Sequence, residues 1–371
     1  MIVRFSRWIF LLCAVAMAAP SQVFTTLLDF NGINGSGPDA ALVEGIAGQM
    51  YGSTHYGGTS NAGTLFSVSQ PGTFASVLSL SGSEGVYPNA GLLLAPNRLL
   101  YGTASAGGTS HAGTVFQTTP TGTLTILHSF DSTDGGMPIG GLTPAFNGML
   151  YGTTNEGGPH SYGTIFKISP GGALTTVHNF SGSDGANPTA APVQASNGLL
   201  YGATWAGGAN NSGTIYAIRM GGVFTTLYSF SGSGIKGGGP YGALIQGNDG
   251  NLYGTAQVGG FYGTVFQITP GGVLTTLYTF NGIDGGEPMG ALVQGTDGDF
   301  YGTTSTGGSG PIGAWGTIFR ITSTGTLTTL HTFENADGAV PVRRAGSTDQ
   351  RGILTGQRLP AEPAETERST G

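Results

Sequence analysis

The chain has 371 residues, of which 70 are glycine and only 8% are charged, while its apolar fraction is an ordinary 38%. So much glycine suits many short strands separated by turns, and no window sustains the 3.6-residue period of a helix. Between residues 20 and 341 there are five Lys or Arg and fifteen Asp or Glu. This acidic balance argues against nucleic acid or an anionic membrane surface as a partner, because both require clustered basic side chains.

Residues 1–18 are predicted to be a removed signal peptide. Arg4 and Arg7 precede an apolar run over residues 8–19, which fits a secretory signal. About twelve apolar residues fall short of the roughly 20 that cross a bilayer, so a membrane anchor is the weaker alternative. We therefore expect a bacterial protein that is secreted, periplasmic or on the cell surface, with no membrane span after signal removal. The only cysteine, Cys13, lies in this segment, so no disulfide is expected in the mature chain.

A repeat of about 50 residues fills the chain up to Pro341. A Tyr-Gly pair marks each copy, and its tyrosines are spaced by 50, 50, 50, 52 and 48 residues. They are Tyr51, Tyr101, Tyr151, Tyr201, Tyr253 and Tyr301. A period in this range indicates a propeller, a solenoid or an array.

Each copy contains four short segments, which between residues 290 and 333 read GALVQG, DFYGTT, GTIFRIT and LTTLHTF. They are rich in Thr, aliphatic and aromatic residues and are bounded by Gly, Pro, Asn or Asp, which is typical of strands. Four strands per repeat predict an all-β propeller blade. The strand order resembles that of exported propellers, and this resemblance implies that GALVQG is the innermost strand and LTTLHTF the outermost. A β-helix is the alternative, although its coils are usually shorter. The predicted domains are the signal peptide, a propeller over residues 19–341, and a tail over residues 342–371.

Residues that recur in every copy are predicted to be scaffold. The aromatic residue of the third strand is expected to pack between adjacent blades: Phe66, Phe116, Phe166, Tyr216, Phe266 and Phe319. The glycine of the Tyr-Gly pair is expected to admit a close backbone approach or a bulge near the axis. The repeated turn acids are expected to cap turns, with calcium binding as the alternative. They are Glu84, Asp134, Asp184, Asp284 and Asp337.

The combined motif YGTT…GG…GTIFKI(S/T)P.G.LTTL.(S/T)F.G.DG..P resembles the GloVer tandem-repeat family of exported bacterial proteins. The similarity covers residues 24–341 and six copies of the motif. It implies a propeller-like repeat protein on or outside the cell, with no established activity. Proteins of this kind are called "choice-of-anchor" because their C-terminal sorting segments differ, and no such segment is visible here.

The outer strand occurs seven times, whereas the three inner strands occur six times. The copies of the outer strand begin at Phe24, Phe74, Leu124, Leu174, Phe224, Leu274 and Leu327. We therefore predict six complete blades plus an orphan outer strand over residues 24–30, as in an interrupted seven-bladed ring.

The tail after Pro341 holds five Arg in thirty residues, and its simplest interpretation is a disordered tail. A one-base shift of the codons for residues 342–354 permits x-G-A-L-V-Q-x-T-N-G-x-F, at the spacing from Pro341 that GALVQG has from Pro288. We therefore hypothesise a one-base insertion that replaced a seventh set of inner strands. Resequencing the gene tests this hypothesis, and a verified frame with no GALVQ-like alternative would refute it.

Two connections per blade are long, the one after the outer strand and the glycine-rich loop between YGTT and GT, and both are expected on one face. Residues that break the repeat cluster in the glycine-rich loops. They are His55, Tyr56, His111, Glu156, His160, Trp205, Asn210, Phe261, Tyr262 and Trp315. Exposed aromatic rings with Asn, His and Glu around them suit a sugar, whereas loop drift without any ligand remains the competing interpretation.

Signals of catalysis are weak. Glu156 and His160 are four residues apart, but they lie in a loop that contains Gly and Pro and share no helix face, so their spacing does not indicate a metal site. No nucleophile-elbow or phosphate-loop motif occurs in a suitable context. No cofactor or metal is predicted. Three functions stay open: a surface binding scaffold for an extracellular polysaccharide or a cell-surface protein, a polysaccharide-active enzyme, and a purely structural envelope protein.

Overall fold

A computed structural model describes residues 27–45, 48–69, 72–232, 234, 237–309 and 315–334. Within these ranges the chain forms six four-stranded antiparallel sheets, which are the blades of a six-bladed β-propeller. The described residues include no helix that is long and apolar enough to span a membrane. The predicted signal peptide, Asp337 and the tail after Pro341 lie outside these ranges.

Each blade takes one strand from each of four classes, in chain order. The innermost strands are β1 (Val43–Glu44), β5 (Leu93–Leu94), β9 (Thr143–Pro144), β13 (Val193–Gln194), β17 (Ile245–Gln246) and β21 (Val293–Gln294). The second strands are β2 (Met50–Thr54), β6 (Leu100–Ala104), β10 (Leu150–Thr154), β14 (Leu200–Thr204), β18 (Leu252–Ala256) and β22 (Phe300–Thr304). The third strands are β3 (Thr64–Ser69), β7 (Thr114–Thr118), β11 (Thr164–Ile168), β15 (Thr214–Ile218), β19 (Thr264–Ile268) and β23 (Thr317–Ile321). The outer strands are β4 (Thr73–Ser79), β8 (Leu124–Ser129), β12 (Leu174–Asn179), β16 (Phe224–Ser229), β20 (Leu274–Thr279) and β24 (Leu327–Thr332).

The strand order within each sheet follows the chain, so the predicted architecture and the placement of GALVQG and LTTLHTF are confirmed. Sequential antiparallel strands need only short hairpins between the first and second and between the third and fourth strands. The other two connections, which carry the glycine-rich loop and the passage to the next blade, are the long ones.

The hydrophobic core lies between blades. At the junction of blades 2 and 3, Tyr101, Val115 and Phe130 pack against Leu150 and Phe166 of the next blade. Equivalent sets of side chains join the other pairs of consecutive blades. The prediction that the repeated aromatic residue of the third strand packs between blades is therefore confirmed.

The glycine of the Tyr-Gly pair has a different role from the one expected. Gly102 pairs with Phe116 on the neighbouring strand of its own blade, and a Cβ at Gly102 would lie 2.5 Å from the Phe116 ring. The glycine therefore makes room for an aromatic side chain rather than for a backbone. A bulge was expected at this glycine, which lies on β6. The bulge in fact lies between β7 and β8, where the register shifts at Val115/Phe116.

The repeated turn acids cap their turns, as predicted. Asp134 Oδ1 accepts a hydrogen bond from the Asp131 amide at 3.2 Å, and Asp184 Oδ1 accepts one from the Ser181 amide at 2.8 Å. The second carboxylate oxygen of Asp134 contacts the ring of His128 in the preceding outer strand, at 2.6 Å. These acids therefore tie each turn to the blade before it.

Residues 27–30 are not assigned as a strand, although residues 24–30 were expected to form an outer strand; residues 24–26 lie outside the described ranges. Phe30 nevertheless packs edge-to-face on Phe66 with ring centroids 5.1 Å apart, as Phe130 packs on Phe166 at 5.3 Å. The segment therefore makes the side-chain contact of an outer strand, although among the described residues it belongs to none of the six sheets.

Candidate functional site

The two long connections meet on one face of the propeller, which we call the long-loop face. Isolated β-bridges join them in every blade, for example Gly136 with Glu156 and Ala186 with Ala206. The sequence-based placement of both connections on the same face is therefore confirmed. Loops held by such bridges on a rigid scaffold can present side chains in fixed positions.

All of the predicted ligand-binding residues lie in the glycine-rich loops of this face, although they do not form one continuous site. Most of them are exposed: Tyr56, His111, Glu156, His160, Trp205, Asn210, Phe261 and Tyr262. His55 and Trp315 are partly buried. Phe261 is 98% exposed, whereas the Asn210 amide donates to the carbonyl of Phe230 at 3.0 Å and so has a structural role.

Two of the predicted residues form an aromatic cluster at the junction of blades 1 and 2. The His55 ring stacks on Tyr87 with centroids 5.2 Å apart and an interplanar angle of 13°. Tyr56 lies edge-on to both rings, at 4.0 Å from His55 and 5.4 Å from Tyr87. The Tyr56 ring is therefore steeply inclined to the two stacked rings, and it is the exposed member of the cluster.

Trp205 occupies the matching position at the junction of blades 4 and 5. Its indole lies over Gly239, where a Cβ would be 3.2 Å from Nε1. Trp205 Nε1 donates a long hydrogen bond of 3.4 Å to Gln257 Oε1, and the Trp205 amide is bonded to the carbonyl of Asn187 at 3.2 Å. The ring is held from one side and is still 45% exposed, which suits stacking on a flat apolar surface.

The structure adds residues that sequence reasoning missed. In each of the six connections that lead into a blade, the residue before the repeated proline has φ between 50° and 67°. This is the left-handed region of the backbone, which costs a residue with a side chain about 1–2 kcal/mol. Its occupants are Gly37, Tyr87, Met137, Asn187, Gly239 and Glu287. Each carbonyl accepts a hydrogen bond from the amide of the first glycine-rich-loop residue. The signal was present in the motif DG..P, whose two unspecified positions vary between copies.

The residues after the repeated proline surround a cavity on the propeller axis. Its polar lining includes Asp39, Asn89, Thr189 and Tyr241. Asn89 donates to Ser105 Oγ at 3.0 Å, and Thr189 Oγ1 donates to the carbonyl of Tyr241 at 2.5 Å. The cavity volume is about 30 Å³, which is room for about two water molecules. Pockets for small organic ligands are roughly ten times larger.

The groups with raised pKa values belong to the scaffold. Burial and the hydrogen bond to Asp249 raise the pKa of Tyr253 to about 12, and the same causes, with Asp297 as partner, raise the pKa of Tyr301 to about 12. Both tyrosines bond hairpin acids on the face opposite the long loops. Across the described part of the chain, no group of three or more His, Cys, Asp or Glu could hold a metal ion.

Comparisons with solved structures agree with the fold. The chain is 18% identical to a protein from Bacteroides fragilis assigned as a 6-phosphogluconolactonase, with a TM-score of 0.54 over 82% of this chain and 86% of that one. It is 16% identical to a protein of the same assignment from Bacteroides uniformis, with a TM-score of 0.51 over 79% and 84% of the two chains. At these identities the likeness extends to the fold alone. No curated protein matches the sequence.

The sequence profile of the Gloeobacter/Verrucomicrobia repeat matches residues 14–194 and 145–360. These two overlapping ranges take in nearly all of the chain, including all six blades. The chain therefore belongs to the Gloeobacter/Verrucomicrobia repeat family.

Proposed function

We propose that this protein is an exported binding scaffold whose long-loop face binds a neutral carbohydrate of an extracellular polysaccharide. The observation that carries the proposal is Trp205, an indole fixed over Gly239 and half exposed, with the Gln257 side chain at its edge. Sugar rings present apolar C–H faces and hydroxyl edges, so a fixed indole beside an amide matches both parts of a sugar.

The shape of the face favours shallow binding. The axial cavity has room for only about two water molecules, so a sugar would have to lie across the loops rather than enter the axis. The exposed aromatic residues of the face supply such a surface: Tyr56, Tyr162, Trp205, Phe261 and Tyr262. The low charge of the chain suits a neutral ligand.

Retention on immobilised or gel-embedded neutral polysaccharides tests the proposal. Trp205→Ala should weaken retention about tenfold or more, as expected when a central tryptophan is removed from a binding surface. Trp315→Ala reports on a second loop of the same face. The matched control is Phe146→Ala, because Phe146 is 78% exposed but lies in the first hairpin of blade 3, on the opposite face.

Two outcomes would reject carbohydrate binding. Equal retention of the Trp205 and Phe146 variants would show that the long-loop face is not the binding surface. Absence of retention on every polysaccharide in a broad panel would favour a cell-surface protein as the partner or a purely structural role. Release of soluble sugars during the assay would favour the polysaccharide-active enzyme instead.

A further inference from the structure

Three consecutive junctions of the long-loop face repeat one arrangement, in which an aromatic ring of one blade lies against a glycine of the connection to the next blade. At the junction of blades 4 and 5 this ring is Trp205, as described above. At the junction of blades 3 and 4, a Cβ at Gly182 would lie 3.0 Å from the Tyr162 ring. At the junction of blades 5 and 6, a Cβ at Gly282 would lie 2.9 Å from the Tyr262 ring. The arrangement therefore extends over blades 3–6.

The three rings are exposed to the same degree. The exposed fractions of Tyr162, Trp205 and Tyr262 are 43%, 45% and 44%. Each ring is thus supported by backbone on one side and open to solvent on another. A ring that is already held in place loses little conformational freedom when a ligand stacks on it, so each can contribute to binding. We call Tyr162, Trp205 and Tyr262 the aromatic track.

Two members of the aromatic track are linked through a single residue. The Asn187 amide donates to the carbonyl of Tyr162 at 2.9 Å, and the carbonyl of Asn187 accepts from the Trp205 amide at 3.2 Å. Hydrogen-bonded neighbouring segments lie about 5 Å apart, so the backbones of Tyr162 and Trp205 are at most about 10 Å apart. Rings at this spacing suit different units of one extended sugar chain.

A polar side chain accompanies each ring of the aromatic track. Asn187 uses its Nδ2 on the carbonyl of Asn155 at 3.0 Å, which leaves its Oδ1 as an acceptor for a ligand. Gln257 uses its Oε1 on Trp205, which leaves its amide hydrogens as donors. The Glu287 amide donates to the carbonyl of Tyr262 at 2.8 Å, and the Glu287 side chain is exposed. Each ring is therefore close to a group that can bond a sugar hydroxyl.

The two preceding junctions differ from these three. Alanine residues, Ala62 and Ala112, stand at the sequence position of Tyr162 and Tyr262. Accordingly, nothing lies within 4 Å of the Cβ position of Gly82, the counterpart of Gly182. The aromatic track thus begins at blade 3 and does not include the cluster of His55, Tyr56 and Tyr87.

The charges of the two faces indicate the kind of chain that fits. The Lys and Arg residues that the structure describes all lie in or beside hairpins of the opposite face: Arg98, Lys167, Arg219 and Arg320. By contrast, Glu156 and Glu287 are exposed on the long-loop face. An anionic chain would meet only repulsion from these carboxylates, whereas the hydroxyls of a neutral chain can donate to them.

We propose that the aromatic track binds one neutral polysaccharide chain along its length, with Trp205 as the central subsite and Tyr162 and Tyr262 as subsites on either side. This inference rests on the proposed function and adds that the ligand is an internal stretch of several sugar units. A single sugar or a chain end would use only one of the three rings.

The first experiment varies the length of the ligand. The protein is titrated by calorimetry with malto-, cello- and manno-oligosaccharides from the disaccharide to the hexasaccharide. In a series that binds, the Kd should fall at least about tenfold with length, because each further ring adds contacts within one bound chain. A Kd that is independent of length but is raised by Trp205→Ala would overturn the aromatic track and leave the proposed function intact. Absence of any Trp205-dependent binding would reject both.

The second experiment removes the outer subsites. Tyr162→Ala and Tyr262→Ala should each weaken binding of the hexasaccharide about threefold to tenfold and leave binding of the disaccharide unchanged, because the disaccharide occupies Trp205. Tyr162→Phe and Tyr262→Phe keep the rings and should keep the affinity. The matched control is Tyr56→Ala, since Tyr56 is 48% exposed on the same face but lies outside the track. Equal losses for both ligand lengths, or no loss for the hexasaccharide, would overturn the proposal.

The third experiment tests the charge of the ligand. An oligogalacturonate hexasaccharide, which carries a carboxylate on each unit, should bind at least about tenfold more weakly than the neutral hexasaccharide at low salt. Glu287→Gln should reduce this difference. Equal or tighter binding of the anionic chain would contradict a neutral ligand.

Discussion

The junctions between blades and the long-loop face are made by the same repeat, yet they tolerate change very differently. At the junctions one side chain recurs on the third strand, with a single departure: Phe66, Phe116, Phe166, Tyr216, Phe266 and Phe319. On the long-loop face the position before the proline changes in nearly every blade: Gly37, Tyr87, Met137, Asn187, Gly239 and Glu287. A close-packed interior fixes the volume of its side chains, whereas most of the positions before the proline are partly or fully exposed and are constrained less. The variable face is therefore the region in which this protein can differ from others of its fold.

The largest effect expected from this comparison comes from truncating one aromatic ring in each region. Phe166→Ala should lower the free energy of unfolding by about 3–5 kcal/mol, because Phe166 is fully buried between blades 2 and 3. Phe261→Ala removes an equally large ring from the long-loop face and should change it by less than about 0.5 kcal/mol. Urea unfolding of both variants checks the contrast, and similar losses would contradict it.

The next largest effect on stability is expected at the junction of blades 3 and 4, where the third-strand aromatic residue is Tyr216 instead of phenylalanine. Tyr216 is fully buried and its hydroxyl has no hydrogen-bond partner, so burial raises its pKa above the ordinary range. Tyr216→Phe restores the residue of the other blades and should raise the stability by about 1–3 kcal/mol. Thermal unfolding measures the change. Phe166→Tyr, the reverse change in blade 3, should be destabilising, and stabilisation by that variant would break the argument.

A smaller effect links the backbone of the long-loop face to the proposed binding residue. Gly239 has φ of 61°, and a Cβ there would press on the Trp205 indole. Gly239→Ala should cost about 1–2 kcal/mol and should also shift the tryptophan fluorescence, because the indole must move. Gly221→Ala is the control, since nothing lies within 4 Å of its Cβ position. An unchanged emission spectrum in the Gly239 variant would show that Gly239 does not set the position of Trp205.

The smallest expected effect is a pH dependence of stability at the contact between an outer strand and the turn that follows it. This contact lies between the blade junctions and the long-loop face. Burial lowers the pKa of His178, although Asp184, at 2.9 Å, opposes this shift. Because the unfolded chain then binds a proton that the folded chain does not, stability should fall as the pH falls through and below about 6.5. His178→Tyr should weaken this dependence, since Tyr228 and Tyr278 occupy the same position in blades 4 and 5. Tm values between pH 7.5 and 5.5 measure it, with exposed His111→Tyr as the control. Identical pH profiles of the wild type and the His178 variant would contradict the expectation.

Much of the fold could be predicted because the same pattern of strands and turns occurs six times in the sequence. The Tyr-Gly spacing, the strand order, the packing of the third-strand aromatic residues and the capping by Asp134 and Asp184 all follow from local pattern and short-range chemistry. The role of Gly102 could not be predicted, because the Phe116 ring reaches it from a neighbouring strand whose register the sequence does not show. The position of the bulge between β7 and β8 could not be predicted for the same reason, because it also depends on strand register.

The face on which the candidate site lies could be predicted from the sequence, but the arrangement of its side chains could not. The sequence identified the glycine-rich loops and, among them, His55, Tyr56 and Trp205. It did not identify Tyr87 or Gly239, since these residues lie in the other long connection and come beside His55 and Trp205 only when the β-bridges form.

The amino-acid sequence alone establishes a chain of four-stranded β units with an acidic, sparsely charged composition, because strand propensity and turn chemistry are local properties. The folded structure is needed to show which residues meet across blades, how little space the axis leaves, and that the Tyr216 hydroxyl is buried without a hydrogen-bond partner. These features depend on how one blade packs on the next. Residues about 40 positions apart meet there, and neither composition nor period specifies that packing.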